Sequence, residues 1–362
     1  MPGLHQRQPV PAIRLTGEGG LEVFSVPSRA GDILEVRVEN EPVMMQNPKG
    51  HLRGEDINTY GAEMVDWVEG FVTCGLENTG PQQPGLAGHG TFTRQPLEII
   101  SCDENHLKGK IRCVNIVTGP YIDVIRTIKV LPDRRAFRVE DQLRAGAISN
   151  NQPYQGDNQY LLLYHPNFPL RNGDQLFARA KIAVARDLIS NCDMESLAII
   201  SGVGEGQAVF PPSQPTGEDY QKVRAENFER CYLMILEPLN NGEVAVALIN
   251  KEQDRGAYLK YNLNQFKKPM AFQFWRNPRG GSAGLEIGST FMGRAYAQKY
   301  GLLTTLKADE THLYQVEVGF LLGQQEVKDF LTEHQLTIAK PQLIKAVAQD
   351  PSQEEFYHRE FY

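Results

Sequence analysis

Short apolar segments of strand length, separated by Gly, Pro, Asn and Asp, recur along most of this 362-residue chain with no helical pattern between most of them. Residues 21–26, 33–38, 97–101, 106–116, 121–130 and 136–143 read as strands, and turn signals such as Leu131-Pro132-Asp133-Arg134 join them. Later candidates are 161–164, 197–201, 231–236, 244–250, 257–262, 272–275, 283–287 and 313–320. Alternating β-α-β units are absent, which disfavours parallel α/β folds. The pattern predicts an all-β chain, a large antiparallel β-sandwich with a short helical C-terminal tail.

Two stretches break this texture. Residues 324–346 place Val327, Phe330, Leu331, Leu336 and Ile338 near helical spacing, and Pro341 interrupts them. The expected organisation is one sandwich domain over residues 1–323, with a helical tail over 324–362 packed on it. Residues 202–224, with Pro211-Pro212, Pro215 and Gly217, read as a long surface loop within that domain.

Composition narrows the function classes. The net charge is −7, from 37 basic and 44 acidic residues, and no Lys/Arg run offers a footprint for nucleic acid or an anionic membrane. No apolar run approaches the 18 residues of a spanning helix, and residues 1–11 are polar rather than leader-like, so the expected location is cytoplasmic. The five cysteines, Cys74, Cys102, Cys113, Cys192 and Cys231, are widely spaced and odd in number, unlike a disulfide framework or zinc site. No phosphate-cradling glycine loop appears either, and the expectation is that no metal or organic cofactor is held.

Three motifs place a titratable side chain in strand-like surroundings: Gly88-His89-Gly90, Tyr164-His165-Pro166-Asn167-Phe168 and Gly284-Leu285-Glu286. Two imidazoles and a carboxylate suit proton transfer near neutral pH, because histidine titrates there and burial raises a glutamate toward it. Each has a plainer reading beside the functional one. Flanking glycines would let a ligand approach His89, or simply serve a bend. His165, where an apolar run meets Pro166, is either a site residue at a strand end or a capping histidine. Glu286 is the only acid between Asp254 and Asp309, and period-two alternation sends it to the face opposite Leu285 and Ile287. It is a surface acid if that face is wet and a base if that face is concave and covered.

The ordered set resembles the aldose 1-epimerase (galactose mutarotase) superfamily, in particular an aldose 1-epimerase-like branch. The elements are Thr73-Cys74-Gly75-Leu76-Glu77-Asn78-Thr79-Gly80-Pro81, His89-Gly90, Tyr164-His165-Pro166-Asn167-Phe168, and Trp275 with Gly284-Leu285-Glu286. The resemblance implies a supersandwich whose concave face binds a monosaccharide, with Glu286 removing the anomeric proton and His165 protonating the ring oxygen. It places His89, Arg94, Asn167 and Trp275 as substrate-binding residues. The sequence departs from the branch where Gly90 is followed by Thr91 in place of an arginine, the nearest being Arg94.

These features lead to an isomerase that interconverts anomers of a free sugar. A non-catalytic carbohydrate-binding protein on the same fold is the alternative. Glycoside cleavage ranks third, because it needs two carboxylates about 5–10 Å apart and the chain offers one well-placed acid. The expected partner is a small-molecule carbohydrate, with neither nucleic acid nor membrane, and a homodimer is the candidate assembly.

Overall fold

The computed structural model describes residues 10–47, 69–80, 82–114, 117, 121–148, 152–153, 158–185, 197, 199–200, 230–266, 271–277, 281–289, 293–299, 301–308 and 310–344. The loop expected at 202–224 lies outside them, as does the chain beyond Ile344.

Two sheets, antiparallel but for one edge pairing, stack face to face. The larger has twelve strands, and its central path runs Asp32–Val38, Phe71–Leu76, Asn158–Pro169, Ser282–Gly288, Phe272–Asn277 and Arg230–Leu236. The smaller has eight, with Gln175–Ala178, Glu243–Ile249, Arg255–Asn262, Thr311–Leu322 and Ala136–Ala145 followed by the meander of Tyr121–Val130, His106–Val114 and Leu97–Cys102. The sequence expectation of an all-β sandwich is met. Of the segment 197–201 the described residues are Leu197, Ile199 and Ile200: Ile199 makes an isolated bridge to Gln175, and Ile200 exchanges backbone hydrogen bonds with Gly173 and Asp174. Sequence reading passed over Phe71–Leu76, because Gly75 interrupts its apolar alternation.

Alternation assigns the faces. On Asn158–Pro169, Tyr160, Leu162, Tyr164 and Phe168 point into the core between the sheets, while Leu161, Leu163, His165 and Asn167 point the other way. On Ser282–Gly288 the core-facing residues are Ala283, Leu285 and Ile287. Both faces of these central strands are buried, so the outer face of the large sheet is covered rather than washed by solvent. Such strands read as near-continuous apolar runs, and the polar residues interrupting them stand out.

A charged network lies inside this sandwich. Arg126 and Asp141, opposite each other on neighbouring strands of the small sheet, form a two-pronged pair at 2.9 and 2.7 Å. Arg126 also donates to Thr73 Oγ1 and the Ala30 carbonyl, each at 2.9 Å, and Tyr164 donates its hydroxyl to Asp141 at 2.8 Å. Asp32 accepts from the Thr73 N–H and the Thr93 hydroxyl, and Arg29 pairs with Glu69. Arg126, Asp141, Asp32, Arg29 and Glu69 are all at most 1% exposed. The network ties Thr73 and Tyr164 of the large sheet to the small one.

In the tail, Gln324–Glu333 is helical and packs Val327 and Phe330 beside Tyr258 on the outer face of the small sheet. Its end is a Schellman turn: Gln335 adopts φ +53°, the Leu336 N–H bonds to the Leu331 carbonyl, and the Gln335 N–H bonds to the Thr332 carbonyl. The chain then returns as Gln342–Ile344, which pairs in parallel with Ala180–Ala185 of the large sheet. Residues 324–344 therefore span both layers of the sandwich.

Truncating Arg126 leaves Asp141 buried without its guanidinium, whereas Arg112 and Asp123 form a pair in which the arginine is half-exposed. Arg126→Ala is expected to cost about 3–5 kcal/mol of unfolding free energy in urea titrations, and Arg112→Ala no more than about 1 kcal/mol. Equal effects would refute the structural role given to the buried pair.

Candidate functional site

The register of the large sheet sets a row of side chains on its covered outer face. Val72 pairs with His165 on one side, and Glu286 pairs with Gln273 on the other. The register that matches Tyr164 to Ile287 and Asn167 to Gly284 sets His165 opposite Glu286. The next row, two residues along, is Asn167, Gly284 and Trp275.

Within the first row, His165 Nε2 lies 3.4 Å from Glu286 Oε1, and Gln273 donates its amide Nε2 to Glu286 Oε2 at 2.7 Å. The carboxylate is thus held from both sides. Glu286 is 1% exposed and His165 5%, so the face that period-two alternation chose for Glu286 is covered. Burial pushes the His165 imidazole down from its ordinary value to about 4, leaving the ring neutral near pH 7.

Gly284 is the gap in the wall. A Cβ built there would sit 2.8 Å from Glu286 Oε1 and 3.1 Å from His165 Cε1, so any side chain would press on both. Glycine within a strand otherwise weakens it, and close approach of another group is one of the few reasons to find it there. Further along the same face, the Ser282 hydroxyl is buried and has no partner among the described residues.

The His89 ring reaches the pair from a loop. Its centroid is 5.8 Å from that of His165, and Trp275 stands 6.1 Å from His165 on the neighbouring side. Backbone contacts hold the loop: the His89 N–H bonds to the Gly80 carbonyl, and the Gly75 N–H bonds to the His89 carbonyl, both at 2.8 Å. His89 has φ +55° and Gly90 φ +76°. A Cβ on Gly90 would fall 2.1 Å from the Gly75 carbonyl oxygen, so this glycine makes room for the neighbouring chain, not for a ligand. The Cys-Gly-Leu and His-Gly motifs, distant in sequence, are two sides of one backbone junction.

The structure therefore brings together His89, His165, Trp275 and Glu286 from the residues singled out in the sequence. Asn167 lies one row away and donates its amide to the carbonyls of His165 at 2.9 Å and Glu69 at 3.4 Å, bracing the strand that bears His165. Arg94 is half-buried at the end of the 3-10 turn Phe92–Arg94. Thr91 donates its hydroxyl to the buried Glu77, whose carboxyl desolvation raises above the usual range. Gln273 and Gly284 were not singled out for roles of their own. Their signal was period two, which puts Gln273 across from Glu286 and Gly284 on its face. Among the described residues no three His, Cys, Asp or Glu side chains cluster as metal ligands do, and no helix is long and apolar enough to cross a membrane.

The sequence matches the model of the family described as "Domain of unknown function (DUF4432)" over residues 7–320. The chain belongs to that family. No curated protein matches its sequence. Solved structures do share its fold. One is a "putative aldose 1-epimerase" from Klebsiella pneumoniae subsp. pneumoniae, similar at 17% identity with a TM-score of 0.70, over 91% of this chain and 84% of that one. Another is a galactose mutarotase related enzyme from Lactobacillus acidophilus, at 11% identity and a TM-score of 0.53, over 87% of this chain and 99% of that one. A galactose mutarotase-like protein from Lactobacillus casei is similar at 10% identity with a TM-score of 0.51, over 86% and 100% of the two chains. The fold of this family member is the galactose mutarotase-like β-sandwich.

NMR of the imidazole nitrogens is expected to show His165 neutral at pH 6.5, with a midpoint near 4. A midpoint at the ordinary histidine value would contradict the burial described.

Proposed function

We propose that the protein is an aldose 1-epimerase-like isomerase that interconverts the anomers of a free monosaccharide, with Glu286 as base and His165 as acid. The observation that carries this reading is the placement of a buried carboxylate and a buried imidazole side by side across a sheet, packed over a glycine where any side chain would press on both. The shared fold with epimerase-like structures supports it.

In this scheme a sugar lies against the Glu286 and His165 side chains. The anomeric hydroxyl gives its proton to Glu286 while the ring oxygen takes one from His165, and the bond between the anomeric carbon and the ring oxygen breaks. The open-chain aldehyde turns about the adjoining carbon–carbon bond. Reclosure on the other face returns both protons and gives the other anomer. Gln273 holds Glu286 in position through its amide, His89 and Trp275 bound the ligand on two sides, and Asn167 braces the His165 strand. Positioned proton transfers of this kind contribute roughly 10²–10⁴-fold each, ample for a reaction that proceeds unaided in water.

The reactive state needs Glu286 as carboxylate and His165 as imidazolium. Burial opposes the charged ring, and the carboxylate 3.4 Å away favours it. The alkaline limb of kcat/KM is therefore expected below the ordinary histidine value of about 6.5, the rate falling as rising pH strips His165 of its proton. A profile flat from pH 5 to 8 would assign the acid role elsewhere.

The same 3.4 Å contact favours a second reading, a carbohydrate-binding protein in which acid and base stay paired beneath the sugar. Freshly dissolved single anomers, followed by polarimetry or one-dimensional NMR, separate the two. The isomerase reading expects catalysed interconversion of at least one sugar, with Glu286→Gln lowering it by at least about 10²-fold while sugar binding persists, and His165→Asn costing a similar factor. Gly284→Val is expected to abolish both binding and turnover. Binding without turnover across the panel would select the second reading.

A further inference from the structure

A cavity opens between the two sheets, on the opposite side of the Asn158–Pro169 strand from His165. Its volume is about 430 Å³, within the range of small-molecule sites. Phe168, which faces the inter-sheet space, forms one wall, with Val43, Leu248, Ala257, Phe320 and Leu322 completing an apolar lining. The candidate sugar site lies on the other face of this strand, and none of its residues lines this cavity.

One carboxylate is set into that apolar lining. Asp174 is 5% exposed, and its side chain makes one hydrogen bond among the described residues, Oδ2 accepting the Arg171 backbone N–H at 2.8 Å. No Lys, Arg or His nitrogen of the described residues lies within 4 Å of it. A buried carboxylate without a cation is costly unless the charge is met when the site is occupied. The other charged groups lining the cavity are Glu39, Glu41, Arg171 and Arg255, and Glu252 acts on Asp174 from nearby. Arg255 already has Asp254 at 3.6 Å. Carboxylates outnumber guanidiniums, so the field in the cavity favours a cation.

We propose that this cavity binds a small organic ammonium ion with an apolar body, the ammonium group resting on Asp174 and the body on Phe168, Phe320 and Leu322. Such a ligand satisfies both parts of the lining: the apolar walls gain buried area, and the carboxylate gains a cation that no described Lys, Arg or His places within 4 Å of it. An anion would meet the carboxylate directly, and a neutral apolar molecule would leave it unpaired.

Burial raises the Asp174 carboxyl to about 6, with Glu252 adding to the shift and Arg171 opposing it. The carboxylate form that the cation needs is present above that value and lost as pH falls through it. An ammonium ion that binds only the carboxylate also drives a proton off Asp174 near pH 6.

Calorimetric titration of the full-length protein with 2-phenylethylammonium, compared with the neutral 2-phenylethanol, tests the proposal. The expected result at pH 7.5 is saturable one-to-one binding of the ammonium ion, at least tenfold tighter than the alcohol and weakened at least tenfold by Asp174→Asn. On the wild-type protein, affinity should fall at least tenfold between pH 7.5 and 5, and the heat at pH 6 should vary with the ionisation enthalpy of the buffer. Equal affinity for the alcohol, no binding of either probe, or pH-independent binding would overturn it. If Asp174→Asn fails to fold, the wild-type comparisons still decide. The probes and the variant leave Glu286 and His165 untouched, so this result stands or falls independently of the epimerase reading.

Discussion

The buried pair of Arg126 and Asp141 is the interaction on which the rest of the structure depends. A sandwich of this size could be closed by apolar contacts alone, and replacing a buried ion pair by apolar side chains is often neutral for stability. Arg126 does more than pair. Its remaining donors reach Thr73 and the Ala30 carbonyl, and Asp141 accepts from Tyr164, so one guanidinium and one carboxylate fix the register of the two sheets. Tyr164 and Thr73 sit one residue from His165 and Cys74. Because alternate residues point to opposite faces, locking Tyr164 inward locks His165 outward.

The outer face then inherits its chemistry from this alignment. Glu286 is held between an imidazole and an amide, with a glycine beside it where any other residue would intrude. Burial on this face disfavours the charged His165 imidazole, while the Glu286 carboxylate stands 3.4 Å from its Nε2. That is a site whose protonation changes when something displaces water or enters between the groups. The loop bearing His89 closes the arrangement through backbone bonds to Gly75 and Gly80, which makes its position a property of the main chain more than of its side-chain contacts.

Much of the fold was legible in the chain. The meander from 97 to 145 announced itself through alternation and turn residues, and its strands lie close to where alternation puts them. Phe71–Leu76 was hidden because Gly75 adopts φ +125° and breaks the alternation just where the strand meets the His89 loop. In the 197–201 segment, Ile199 bridges to Gln175 and Ile200 bonds to the backbone of Gly173 and Asp174, beside the edge strand Gln175–Ala178. In the tail, helical spacing was correct for Gln324–Glu333, and Gln335 in a left-handed conformation ended the helix before Pro341 was reached.

Of the candidate site, the sequence by itself determined which residues lie on one face of each strand: Gln273 with Trp275, Gly284 with Glu286, and His165 with Asn167. Period two is a local property, so it needs no tertiary information. It could not say whether that face was wet or covered, which decides whether Glu286 is a surface acid or a buried one. It could not say that His165 stands opposite Glu286, or that His89 reaches the same pair from a loop 76 residues earlier than His165. It also gave no sign of the Asp174 cavity, whose walls come from five separate segments. Those facts depend on strand order and register, and these are set by contacts between residues far apart in the chain, above all the arginine and aspartate buried between the sheets.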